Sequence, residues 1–363
     1  MNILFTRFPL ESANGGAENQ TINLMEGLIA HGHDITFLGS CPVLLKRCRE
    51  LRITNYELRI GPPPVTKWGA ISFFWKKRKI QKSFSFQLSA FSSQPDVICM
   101  LSLTEKILLT PLALKKDIKV LWIEHDNVGN WLTKNPSLPL LKKLSAQVTT
   151  VCVSDLSAEI FRSLGYKNVV AIPNGVKEAE RGKLKEPACR QGRERDDGIL
   201  RIGCIARLSP EKGVDVLIAA MKQVPDATLL VVGKGPQYVQ SSKNVTLRYE
   251  VPDIEQVYSQ IDVLVLPSRE EDPFGLVVAE AMMRGIAVIC TDACGIAGYL
   301  TDGQDALIVP AGSTEALVEA IERFQVSGFR EQVATAGKKA AREKFSVERM
   351  VKDYESQITN HTV

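Results

Sequence analysis

The chain predicts an α/β protein of two doubly wound, Rossmann-like domains, each a parallel sheet covered by helices, facing each other across a cleft. Three observations carry this expectation. At 363 residues the chain exceeds a typical single domain and points to two. Short β-branched runs alternate with helical patterns, as in a parallel sheet buried on both faces. The alternation breaks once, at 177–198, where Lys, Arg, Glu and Gly are dense and periodic apolar positions nearly vanish. That break reads as a linker, so the domains are expected at 1–176 and 199–344.

In the first domain, strands are expected at Ile3–Phe5, Asp34–Leu38, Tyr56–Ile60, Val97–Met100, Val120–Glu124, Val148–Val153 and Val169–Ile172. The second restarts at Leu200–Ala206 and continues through Leu229–Val232, Val245–Arg248, Val263–Pro267, Ala287–Cys290 and Leu307–Val309. With 45% hydrophobic and 24% charged residues the composition is that of a globular protein with ample core. A net charge of +4 gives no reason to expect nucleic-acid binding. Met1–Pro9 is strand-like and too short for a secretory leader, and no apolar run approaches the roughly 18 residues of a membrane span. The eight cysteines are scattered, with Cys99, Cys152, Cys204 and Cys290 inside apolar runs. They read as reduced core residues of a cytoplasmic protein.

Ligands of doubly wound sheets bind beyond the carboxyl ends of the strands, so chemistry is sought in the loops that follow them. After the first strand come Gly15 and Gly16, opening a helix with Ile22, Met25, Leu28 and Ile29 on one face. Paired glycines at a helix N-terminus let backbone approach a ligand, although an ordinary strand-to-helix turn looks the same. No G-x-G-x-x-G run follows, which argues against a dinucleotide site. His125 follows the apolar run Val120–Ile123 and is either a cleft residue or a buried histidine satisfied by a backbone carbonyl.

After Leu200–Ala206, the run from Arg207 to Gly213 opens a helix at Val214–Met221. Arg207 and Lys212 there form a basic pair suited to a diphosphate. The run Pro267–Met282 places Glu270, Glu271 and Asp272 just before a Gly-led apolar helix, with Glu280 further along it. The amides from Phe274 through Gly275 and Leu276 to Val277 would hold a phosphate while Glu280 reaches a sugar hydroxyl. Residues Lys67 to Lys82 carry six basic and no acidic side chains among Trp68, Phe73, Phe74 and Trp75. At helical spacing Phe73, Ile80, Phe84 and Phe91 would face the first sheet. Trp75, Arg78, Lys79, Lys82 and Phe86 would form an opposite face that is either solvated or peripheral on an anionic membrane.

Taken in order, these motifs resemble glycosyltransferase family 4, the retaining GT-B enzymes. The resemblance runs through Gly15-Gly16-Ala17-Glu18, His31-Gly32-His33-Asp34-Ile35, His125, Val153-Ser154 and Ile172-Pro173-Asn174-Gly175-Val176. It continues through Arg207, Lys212-Gly213, Val232-Gly233-Lys234-Gly235-Pro236, Pro267-Ser268 and Phe274-Gly275-Leu276-Val277-Val278-Ala279-Glu280-Ala281-Met282. It implies a nucleotide-sugar donor on the second domain and a glycan or lipid-linked acceptor on the first. Glu280 would bind the ribose hydroxyls, Arg207 and Lys212 the diphosphate, and His125 the donor sugar. The Gly15-Gly16 loop would border the phosphates and acceptor, with Ser268, Gly233 and Gly235 lining the donor site. A C-terminal segment at 345–363 would pack back on the first domain, and the cleft would close on the donor.

The implied reaction is metal-independent transfer with retention at the anomeric carbon, the leaving phosphate accepting the acceptor's proton. Two cations and a helix N-terminus would stabilise the departing diphosphate, and no Asp-x-Asp run stands in a metal-binding context. No cofactor is expected. The chain departs from the family pattern twice: the first acidic position falls on Asp272, with Glu271 one residue early, and Gly298 stands where the family often has Glu. These departures keep open a catalytically impaired relative that binds nucleotide or glycan as an assembly partner. A nucleotide-sugar epimerase and a dinucleotide oxidoreductase are further alternatives.

Overall fold

The protein is described here by a computed structural model. It describes residues 1–8, 15–58, 78–85, 88, 93–178, 198–237, 240–251 and 253–360, without the side chains of residues 130 and 131. The chain divides into two compact units, Met1–Gly175 with Val347–Val363, and Val176–Ser346. Most of the stretch expected to link them, 179–197, lies outside the described residues, as do 67–77 of the basic aromatic segment.

The first unit is built on seven strands: β1 (Asn2–Arg7), β2 (Asp34–Gly39), β3 (Thr54–Glu57), β4 (Val97–Met100), β5 (Lys119–Glu124), β6 (Thr149–Cys152) and β7 (Val169–Ala171). They pair in the order β3-β2-β1-β4-β5-β6-β7, every pair parallel. Every residue of β4 is buried, the pattern a central strand covered on both faces requires. The third strand begins at Thr54, two residues before its expected start at Tyr56, with Ile53 buried just ahead of it and Leu58 packed against the other face's core just after it.

One face is covered by the Gly16–Ala30 helix through Ile22, Met25 and Leu28, and by the Val347–Thr359 helix through Val347, Met350, Val351, Tyr354 and Ile358. Those two helices approach closely at Gly27, where an added Cβ would lie 2.3 Å from Val351 Cγ2. On the other face, residues 78–85 are helical with Phe84 buried and Arg78, Lys79 and Lys82 exposed. The expected faces therefore separate as far as that segment is described.

The second unit carries β8 (Leu200–Ile205), β9 (Ala227–Val232), β10 (Val245–Arg248), β11 (Val263–Leu266), β12 (Ala287–Thr291) and β13 (Leu307–Val309). Their order is β10-β9-β8-β11-β12-β13, again parallel throughout. The order of each sheet reverses beside its first strand, the switch point at which doubly wound sheets bind ligands. Among the described residues no cysteine forms a disulfide, and Cys41, Cys48, Cys99, Cys152, Cys204, Cys290 and Cys294 are buried. Burial pushes the Cys48, Cys99 and Cys204 thiols up to about 12, so they pack as small apolar side chains. Among the described residues no helix is long and apolar enough to cross a membrane.

Candidate functional site

In the first unit the loops at the carboxyl ends of β1, β4 and β5 bring five ionisable side chains together. Arg7 ends β1 and pairs with Glu18 at 2.8 Å. The other Glu18 oxygen accepts the Gly15 N–H at 3.2 Å, so one buried carboxylate ties the strand end to the start of the Gly16–Ala30 helix. Gly15 and Gly16 thus sit in a turn fixed from below. Gly15 has extended backbone at φ −116°, so its conformation does not itself demand glycine.

Beneath His125, Glu124 ends β5 and meets Lys106 from the Leu103–Leu108 helix at 2.8 Å, with side chains only 10% and 4% exposed. Lys106 also donates to the Ile123 carbonyl at 3.1 Å. Burial raises the Glu124 pKa, and Lys106 opposes that rise. For His125, burial and then the charges of Arg7 and Lys106 hold the imidazole pKa down to about 3. It is therefore neutral, with one ring nitrogen a donor and the other an acceptor. Its buried Nε2 has no hydrogen-bond partner among the described residues, and neither has Nε of Arg7. Any backbone carbonyl that satisfies His125 would therefore have to be met through Nδ1 rather than Nε2.

In the second unit the loops after β8 and β11 are stapled together. Arg269 and Glu270 donate their backbone N–H groups to the Glu211 carbonyl at 2.8 and 3.2 Å. Gly213, at φ +63°, passes so close that a Cβ there would lie 2.1 Å from the Pro267 carbonyl oxygen. Lys212 donates to Asp272 at 2.6 Å. Asp272 also accepts from Ser268 Oγ at 3.4 Å and from the Phe274 amide at 3.3 Å, while its own backbone bridges to Ala293 and Gly295. Asp272 is thus a buried loop anchor with both carboxylate oxygens engaged. Burial, then the neighbouring Asp272, raises the pKa of half-buried Glu271.

Several expected donor contacts are placed differently. Ser268 is fully buried, and its carbonyl accepts from Thr291 Oγ1 at 2.7 Å. The Phe274 amide is committed to Asp272, and its ring packs edge-on against Phe345 at 5.6 Å. Of the amides expected to hold a phosphate, those of Gly275, Leu276 and Val277 remain, where the Leu276–Arg284 helix begins behind Gly275 at φ +92°.

Gly233 and Gly235 are explained by packing, because a Cβ would lie 1.8 Å from the Ala206 carbonyl oxygen at the first and 1.9 Å from that of Leu208 at the second. Arg207 is exposed, with Glu211 at 3.5 Å, and so does not share the buried environment of Lys212. At Gly298 an added Cβ would meet open space.

Glu280 stands one turn inside the helix. Its Oε2 accepts from Tyr258 Oη at 2.6 Å, and burial raises its pKa while that hydrogen bond opposes the rise. Arg284 lies 4.3 Å over the Tyr258 ring, donates to the Glu280 carbonyl at 2.7 Å, and forks onto the Glu255 carboxylate. Sequence reasoning missed Arg7, Lys106, Tyr258, Arg284 and Glu255. The one available signal was a buried-looking Glu124 before His125, which implied a cation nearby.

Comparison with known proteins places these features in a lineage. Residues 14–180 match the family described as Glycosyltransferase Family 4, and residues 200–325 match Glycosyl transferases group 1. The chain is 28% identical over 177 residues to a lipopolysaccharide 1,2-N-acetylglucosaminetransferase of Salmonella typhimurium, covering 42% of this chain and 46% of that protein. It is 28% identical over 210 residues to a phosphatidyl-myo-inositol mannosyltransferase of Mycobacterium leprae, covering 53% and 54%. These matches span about half the length of either relative. Among solved structures, Anabaena Alr3699/HepE in complex with UDP and glucose superposes with a TM-score of 0.78 at 18% identity, over 99% of both chains. The lipopolysaccharide outer core galactosyltransferase WaaB gives 0.73 at 17%, also over 99% of both. The chain belongs to the family 4 glycosyltransferases and has their GT-B fold.

Proposed function

We propose that the protein is a retaining glycosyltransferase that moves a hexose from a UDP- or GDP-linked donor to a glycan or lipid-linked acceptor, without a metal, in cell-surface polysaccharide or glycolipid synthesis. The observation that carries this reading is the carboxyl edge of the second sheet. There the Lys212 loop, the Asp272 loop and the free first turn of the Leu276–Arg284 helix share one stapled framework, with Glu280 one turn in. A helix start and a lysine stabilise charge developing on a departing diphosphate, the demand that dominates this reaction. Glu280 would take the ribose hydroxyls and neutral His125 the donor sugar. The named activities of the Salmonella and Mycobacterium relatives, and the UDP and glucose bound to the Anabaena protein, support the substrate class.

A second reading, an impaired relative that binds without transferring, is favoured by one observation. Asp272 spends both oxygens on Lys212, Ser268 and Phe274, which leaves the first acidic position without reach toward a sugar. Incubating the purified protein with UDP- and GDP-sugars, with and without EDTA, separates the two. Donor hydrolysis that survives EDTA and disappears in Lys212→Ala and Glu280→Ala supports the enzyme. Nucleotide binding without turnover supports the partner, and activity lost to EDTA and restored by magnesium refutes metal independence.

A further inference from the structure

The Leu276–Arg284 helix is apolar except for Glu280 and Arg284, and Glu280 would be an isolated carboxylate on a buried face were it not for Tyr258. Tyr258 is 1% exposed and lies on the short Glu255–Tyr258 helix before β11. A phenol has one proton to donate, and here it goes to Glu280 Oε2 at 2.6 Å. The ring cannot swing away, because the Arg284 guanidinium lies 4.3 Å over it. Arg284 is itself fixed at three points: the Glu280 carbonyl at 2.7 Å and the two oxygens of Glu255. The chain Glu255, Arg284, Tyr258, Glu280 thus removes the rotational freedom of the Glu280 carboxylate. Among the described residues Oε1 makes no hydrogen bond, so it is the oxygen left to a ligand hydroxyl.

We propose that Tyr258 is a positioning residue for the nucleotide ribose: by clamping Glu280 Oε2 it presets Oε1 to accept from the 2′- and 3′-hydroxyls of the donor. The proposal rests on the reading of Glu280 as the ribose ligand and adds to it the group that makes the contact rigid. An acceptor fixed before binding spends no rotamer entropy when the ligand arrives, so the benefit appears in affinity for ligands that carry the hydroxyls. Burial and then the Glu280 charge raise the Tyr258 pKa well above its usual value, so the phenol stays protonated and donating across the working pH range.

The test measures dissociation constants by calorimetry for UDP, GDP and their 2′,3′-dideoxy counterparts. Wild type should prefer the hydroxylated nucleotide by roughly tenfold to a hundredfold, the range of a hydrogen bond to a charged group. Tyr258→Phe keeps the ring beneath Arg284 and should cut that ratio by about twofold to tenfold, the size of the rotamer freedom returned to Glu280, leaving affinity for the dideoxy nucleotide unchanged. Glu280→Gln should bring the ratio closer to unity than Tyr258→Phe does, and adding Tyr258→Phe to it should lower the ratio no further, since Tyr258 acts only through Glu280. An intact ratio in Tyr258→Phe overturns the proposal. So does an equal loss of affinity for both nucleotides, which marks a merely structural role. If Glu280→Gln alone leaves the ratio unchanged, the ribose assignment of Glu280 fails, and the positioning role fails with it.

Discussion

Replacing Lys106 with methionine should cost the first unit about 3–5 kcal/mol at pH 8, because it strands the Glu124 carboxylate. The magnitude follows from burial: Lys106 is 4% exposed and Glu124 10%, their charged atoms are 2.8 Å apart, and no water-facing route compensates the loss. The deficit should depend on pH. Burial already lifts the Glu124 pKa with Lys106 opposing it, so removal of the lysine lifts it further. Where the folded carboxyl holds its proton more tightly than the unfolded one, the folded state binds more protons and stability falls as pH rises through that window. The variant's deficit should therefore shrink as pH is lowered toward 5.

The assay is urea unfolding followed by tryptophan fluorescence, which reports the first unit because Trp68, Trp75, Trp122 and Trp131 all precede residue 176. The double variant Lys106→Met with Glu124→Leu should recover to within about 1–2 kcal/mol of wild type, since an apolar pair can replace a buried ion pair. A deficit equal at pH 5 and pH 8, with no recovery in the double variant, would refute the argument.

Other measurements follow from the same structure. Gly233→Ala and Gly235→Ala should each destabilise the second unit by about 1–3 kcal/mol or more, whereas Gly298→Ala should stay within about 0.5 kcal/mol, as thermal unfolding will show. Because His125 is held near 3 when folded, the unfolded chain takes up its proton first. The contribution is complete above about pH 6.5 and is lost as pH falls toward 3. Stability should thus rise less steeply between pH 4 and 6 in His125→Asn than in wild type, and imidazole titration should leave no break in an activity profile between pH 5 and 8. Lys212→Met should lower donor turnover by about a hundredfold or more and also destabilise the loop by stranding Asp272, seen as a lower Tm without ligand.

The sheet was legible because buried strands such as Val97–Met100 and Val263–Leu266 leave continuous apolar runs that turns interrupt. The loops after them were legible as places, from the rule about carboxyl ends. The direction of each side chain was not. Asp272 was expected to reach toward the donor because it falls at the first acidic position of the family pattern, yet it turns inward onto Lys212. Lys106 reads as an ordinary helix-surface lysine, since nothing local reveals that a carboxylate eighteen residues later faces it. Tyr258 reads as core, which it is, and its hydroxyl chemistry depends on a helix whose approach the spacing does not encode.

The return of Val347–Thr359 to the first sheet gives the order of synthesis a bearing on folding. A ribosome delivers β1 through β7 early, yet one layer of the core they share, from Val347 to Ile358, emerges only after the whole second unit. At about 5–20 residues per second, roughly ten to thirty seconds separate Val176 from Val347. During that interval the second unit has all its strands and can fold, while the first waits with the groove beside Gly27 uncovered. The unit that begins first is completed after the second, and a nick or premature stop near Ser346 would injure a sheet whose strands all lie before Val176.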